Sequence, residues 1–178
     1  MKIFSTFSIL FVLAMSVADV SAQTDSIFFH NGKVIAAQLV STGPHSLTYR
    51  VPNRGTALFT NSNYSVHRIK FVDGSMDTVS KRIDITSEED WEQVILLEDV
   101  AAVAGLVRKQ EIKGNSALFN LHTPQTADAK AWMNIKKAAA RLGCPFVFMN
   151  QDRESTLSPL LIGIGSKQVI KRGIAYNY

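Results

Sequence analysis

Disulfide chemistry is the first thing this chain lacks. It holds a single cysteine, Cys144, so no internal disulfide can form and the fold must rest on its apolar core. Its four histidines, His30, His45, His67 and His122, are scattered, with no His-x-x-x-His spacing. A tetrahedral metal site would therefore need a coincidence of folding. No Gly-x-Ser-x-Gly elbow is present, and residues 163–167 (Gly-Ile-Gly-Ser-Lys) lack the spacing of a phosphate loop. The net charge is only +4, without the run of like charges that marks a nucleic-acid arm. These absences set the expectation of a non-catalytic protein with no cofactor, no metal and no nucleic-acid partner.

What is present begins with an address. Lys2 is followed by an apolar core over residues 9–17, too short to span a bilayer, and Val20-Ser21-Ala22 places a small side chain before a cut at Gln23. Residues 1–22 read as a secretory signal peptide. An uncleaved anchor is the competing reading, and Asp19 just after the core weighs against it. Export implies a periplasmic protein, with an extracellular or surface-associated one as the alternative, and no later segment is long and apolar enough to cross a membrane. The leader resembles that of exported proteins of the Bacteroidetes, where glutamine after the cut is common.

Residues 23–85 read as a small antiparallel β-meander or half-barrel. Ile27-Phe28-Phe29 runs into Asn31-Gly32, and Ile69-Lys70-Phe71-Val72 into Asp73-Gly74, both strong hairpin signals. Further strands are expected at 34–40, at 47–51 and at 78–83, with 54–62 as a loop. The strand and turn order resembles small SH3- and Sm-like barrels. Some of those bind RNA, but export argues against carrying that role over.

Residues 86–178 read as a small α/β sandwich, making the whole chain α+β. Ser87 and Asp90 have the spacing of a capping box, and 94–97 reads as a short strand after one helical turn, with a helix running on through Trp91, Val94 and Ile95 toward Ala101 and Ala102 as the competing reading. Adjacent carboxylates at Glu88, Glu89 and Asp90 match a helix start better than a metal site. A strand is expected over 103–112. Residues 124–142 form one main amphipathic helix: Ala131/Trp132, Ile135, Ala138/Ala139 and Leu142 recur on one face, with Asp128 in the first turn. Gly143 and Pro145 stop it. The apolar run 146–149 is then a buried strand, and 160–164 and 173–176 are strand candidates. Cys144, past the helix C-terminus, reads as a buried small hydrophobe with a raised thiol pKa.

Gly105-Leu106-Val107, Glu111-Ile112-Lys113-Gly114, the string from Lys136 to Gly143 and the closing Gly173-Ile174-Ala175-Tyr176 resemble the small α/β domain of YbjQ-type proteins and of RcsF-type envelope lipoproteins. The resemblance covers roughly residues 91–178 and implies a compact one-helix sheet used in envelope proteins or ring-forming oligomers. The chain departs from it in lacking clustered cysteines and histidines, a lipid anchor and disulfides, so no site residue carries over. The function expected is interaction with a protein or an anionic envelope component, with homo-oligomerisation. Lys136, Lys137, Arg141, Lys171 and Arg172 are the candidate patch for an anionic partner. A ligand- or metal-binding module is the alternative.

Overall fold

The computed structural model describes residues 24–52, 54–116, 124–149, 155–157 and 168–178. The expected signal peptide, His122, the strand candidate 160–164 and the segment 163–167 lie outside these.

The chain is α+β, with two sheets and one main helix. Strands β1 (Asp25–Phe29), β2 (Val34–Thr42), β3 (Ser46–Arg50), β4 (Leu58–Ser62), β5 (Val66–Lys70) and β6 (Met76–Thr78) pair antiparallel in the order β4-β3-β2-β1-β5-β6. The Asn-Gly and Asp-Gly turns make the hairpins expected of them, with Gly32 and Gly74 at positive φ. A 3-10 turn, Asn63–Ser65, carries the chain from β4 to β5, which returns beside β1. Register shifts in β2 (between Leu39 and Ser41) and in the β1–β5 pairing (between Phe28 and Phe29) add local twist. The sheet curls around Ile27, Ala37, Leu47, Tyr49, Val66 and Ile69.

Two expectations change here. Residues 58–62 are a strand, because Leu58–Ser62 pairs along β3, Phe59 stacks on Tyr49 at 5.9 Å and Asn61 accepts a 2.9 Å bond from the Tyr49 hydroxyl. The expected strand 78–83 ends at Thr78 instead. Beyond it, the Val79 and Ser80 amides both turn to the His67 carbonyl, and the chain leaves the sheet.

The second sheet is mixed. It contains β7 (Ile95–Leu97), β8 (Val107–Asn115), β9 (Phe146–Met149), β10 (Ser155–Leu157) and β11 (Gln168–Asn177), in the order β10-β11-β9-β7 with β8 also on β11. The Ser87–Asp90 capping box is present and starts a 3-10 turn, Glu88–Gln93, that leads into β7. Residues 103–106 lie outside β8. A 3-10 turn, Val100–Val103, and Gly105 at positive φ precede it. The expected strand 173–176 is longer: residues 168–172 belong with it to β11, one continuous ten-residue strand.

Helix α1 (Pro124–Arg141) covers one face of this sheet through Ala127, Ala131, Ile135 and Ala139, spaced four apart. Asp128 falls in its second turn rather than its first, and Leu142 lies past its end, 39% exposed, so it is no part of the buried face. Alanines let the helix backbone approach closely: a Cβ on Gly114 of β8 would overlap the Ala131 carbonyl and the Ile135 amide. Gly143, at φ 62°, closes a Schellman cap, with its amide on Ala140 O (2.9 Å) and the Cys144 amide on Ala139 O (3.0 Å).

The other face of the second sheet meets the first unit. Phe146, Leu97 and Ala102 are buried there with Tyr64, Ile83 and Tyr178 packed on them. The Ser62 amide donates to Ala104 O (2.6 Å), and the Ile83 amide to the Tyr178 hydroxyl (2.8 Å).

Candidate functional site

In an antiparallel ladder, directly opposed residues point to the same face. Pairing therefore assigns the outer face of the first sheet row by row. One row is Val34, Phe28, Arg68 and Thr78; the next is Ala36, Ser26, Lys70 and Met76. Gln38, Arg50 and Leu58 continue it across β2, β3 and β4. The inward partners, such as Ile27 and Ile69, fill the core.

This outer face carries Arg50, Arg68 and Lys70 and not one carboxylate. The aspartates of the same unit are used elsewhere. Asp25 accepts the Leu39 and Val72 amides, both at 3.2 Å, and Asp73 holds the Ser75 amide inside its turn. Asp77 opposes inward-facing Ile69. Among the described residues none of the three cations forms an ion pair with a carboxylate, and the Arg68 guanidinium lies over the Phe28 ring at 4.8 Å. Apolar surface lies beside them: Val34 is 55% and Met76 64% exposed. Residues 24–85 hold seven lysines and arginines against four aspartates, so this unit supplies three of the chain's four net positive charges.

The five cations expected to form one patch are divided by the fold. Lys136, Lys137 and Arg141 stay on the outer side of α1. Arg141 is taken up there by a two-point contact with Glu88, Nε to Oε2 at 2.7 Å and Nη2 to Oε1 at 2.8 Å, which holds the Glu88 carboxyl below its usual pKa. Lys137 lies 5.9 Å from the Trp91 ring centre. Lys171 and Arg172 are neighbours in a strand and so face opposite ways. Lys171 points under the helix, 5% exposed, with Nζ 2.9 Å from Asp128 Oδ1 and 4.7 Å above the Trp132 ring. Trp132 Nε1 donates to the other Asp128 oxygen at 2.8 Å, so the buried charge is clamped as a structural tie. Arg172 looks to the far side, where its Nε is buried without a hydrogen-bond partner among the described residues.

The closest approach to catalytic geometry is His30 with Ser80, at 2.9 Å between Nε2 and Oγ. Proton accounting turns this into a clasp. The Ser80 hydroxyl has one proton and directs it at Val66 O, 2.7 Å away. The imidazole must then donate to Oγ and cannot act as its base. Around it, Arg82 Nη1 donates to the His30 carbonyl (2.6 Å), the His67 ring centre lies 5.2 Å away, and Tyr178 lies 4.9 Å away. Burial lowers the His30 pKa, helped by His67 and Arg82 and opposed by Asp84.

Cys144 is buried, and burial raises its thiol pKa against a smaller pull from Lys109. Among the described residues no three His, Cys, Asp or Glu side chains come together as a metal site would require. His45 borders an open groove of about 690 Å³ with Tyr64, Leu96, Glu98, Asp99 and Val100, where Asp99 is already bonded to the Ala101 amide at 2.8 Å. No helix among the described residues is long and apolar enough to cross a membrane.

Reading bases by their closeness in sequence missed the outer-face cations. The signal was there in His67-Arg68-Ile69-Lys70, where cations alternate with a core isoleucine. Only strand pairing brings Phe28 of β1 beside them and sets Arg50, three strands away on β3, on the same face. Comparison with protein families, with curated proteins and with solved structures finds no match to this chain.

Proposed function

We propose that this is a non-catalytic exported protein of the cell envelope that holds an anionic component through the outer face of its first sheet. The carboxylate-free set Arg50, Arg68 and Lys70 beside exposed apolar side chains carries this reading. A face of one sign raises the local concentration of an oppositely charged partner and orients its approach. The second unit serves as the scaffold. Its single helix on one side of a mixed sheet supports reading it as the YbjQ/RcsF-like domain that its strings resemble. The apolar leader supports export, on the periplasmic side of the envelope. In this reading the histidine cluster ties the two units together, the Lys171 clamp ties α1 to its own sheet, and neither does chemistry.

The test is a fluorescence titration of the chain from Gln23 onward with a soluble sulfated polyanion at rising salt. Exposed charges are screened within about 10 Å at ~0.1 M salt, so affinity should fall about tenfold or more between ~0.05 and ~0.5 M. Binding that ignores salt, or no binding at low salt, contradicts the proposal.

A further inference from the structure

We infer that the anionic component is a lipid surface, which the outer face of the first sheet meets face on with both charge and apolar side chains. The inference rests on the anionic-partner reading above and deepens it. A soluble polyanion needs only cations, and a row of lysines on a helix would satisfy it. This face has a different composition. Val34 and Met76 stand more than half exposed at opposite corners of the two central rows, and Phe28 lies between them with the Arg68 guanidinium stacked above its ring.

The spacing suits a planar interface. Rows crossing β3, β2, β1, β5 and β6 span about 19 Å, and successive same-face residues are about 7 Å apart, so the face covers only a few lipid headgroups. Arginine and lysine can lay their stems along apolar surface while the charged ends reach phosphates, as Arg68 already does over Phe28. Charge complementarity selects the lipid class. Three cations without a carboxylate are drawn to an anionic leaflet and gain nothing from a zwitterionic one. Neither apolar nor cationic side chains suffice alone for stable attachment, and this face supplies both.

The experiment is vesicle co-sedimentation of the chain from Gln23 onward, which contains every described residue and removes the apolar leader as a confounding anchor. Vesicles of phosphatidylglycerol with phosphatidylcholine are compared with phosphatidylcholine alone, and each variant is also titrated with the soluble polyanion. Circular dichroism checks that each variant is folded. The chain is expected to bind the anionic vesicles at least about tenfold better than the neutral ones. Arg68→Glu with Lys70→Glu should lower vesicle binding about thirtyfold. Val34→Ser with Met76→Ser should lower vesicle binding about threefold or more and leave polyanion binding unchanged. Polyanion binding without vesicle binding, or vesicle binding indifferent to the serine pair, overturns the lipid inference and leaves the anionic reading standing. Failure of the unaltered chain to bind either probe overturns both.

Discussion

His30 is buried where the two units meet, donating to Ser80 while Arg82 holds its carbonyl. Burial, then His67 and Arg82, keep its pKa below the usual 6.5. The unfolded chain therefore takes up this proton at higher pH than the folded one. The stabilising contribution is fully present above about 6.5 and is lost as pH falls from there toward the lowered folded value. Thermal midpoints should drop between about pH 7.5 and pH 5, and His30→Gln, which keeps a donor for Ser80, should flatten that part of the profile. Superimposable profiles for the two proteins would contradict this. Cys144 makes a second claim at the same scale. Buried and with a raised pKa, it should react with a thiol reagent at least about a hundredfold slower in native protein than in denaturant, and equal rates would sink the claim. The cysteine's burial was legible from its place between a helix stop and an apolar run. The histidine's role was not, because Ser80, Arg82 and Tyr178 lie 50 or more residues away from it and only the fold assembles them.

Elements whose signals are local were legible, and those defined by a distant partner were not. The α1 stop at Gly143, the Ser87–Asp90 box and both glycine hairpins each depend on a few adjacent residues. By contrast, β4 is a strand because β3 pairs with it, and β11 runs ten residues because β8 pairs along nearly its whole length. The charges of Lys171 and Arg172 hid that strand. Asp128 and Trp132, on the helix, make Lys171 tolerable inside it. Close seating of α1 gives a sharp prediction. Gly114→Ala should destabilise the fold by about 1–3 kcal/mol, since its Cβ overlaps helix backbone that cannot move aside alone. Ile135→Ala, at the centre of the buried face, should cost about 2–5 kcal/mol, whereas Leu142→Ser should stay within about 0.5 kcal/mol. Urea unfolding of the three variants checks the ranking, and an equal loss for Leu142→Ser would mean that the helix packs differently.

At the scale of the molecule, two sheets drawn from separate stretches of chain share a third apolar cluster, fastened by Tyr178 near the end of β11. The α+β class and the order of a β unit before a one-helix unit were legible from hairpin signals followed by helical spacing. The charged surface was not legible as such. Lys136, Lys137, Arg141, Lys171 and Arg172 are two clusters in sequence, but strand alternation sends Lys171 and Arg172 to opposite faces and Glu88 takes up Arg141. Of the first sheet's cations, Arg68 and Lys70 stand two residues apart on β5, and pairing through β1 and β2 sets Arg50 of β3 on the same face, with the aspartates turned away. The affinity of the folded chain for an anionic probe should be measured with Arg68→Glu/Lys70→Glu and with Lys136→Glu/Lys137→Glu side by side at low salt. The expected loss is about thirtyfold for the sheet pair and about twofold for the helix pair, the latter from net charge alone. A larger loss for the helix pair would contradict the sheet-face proposal.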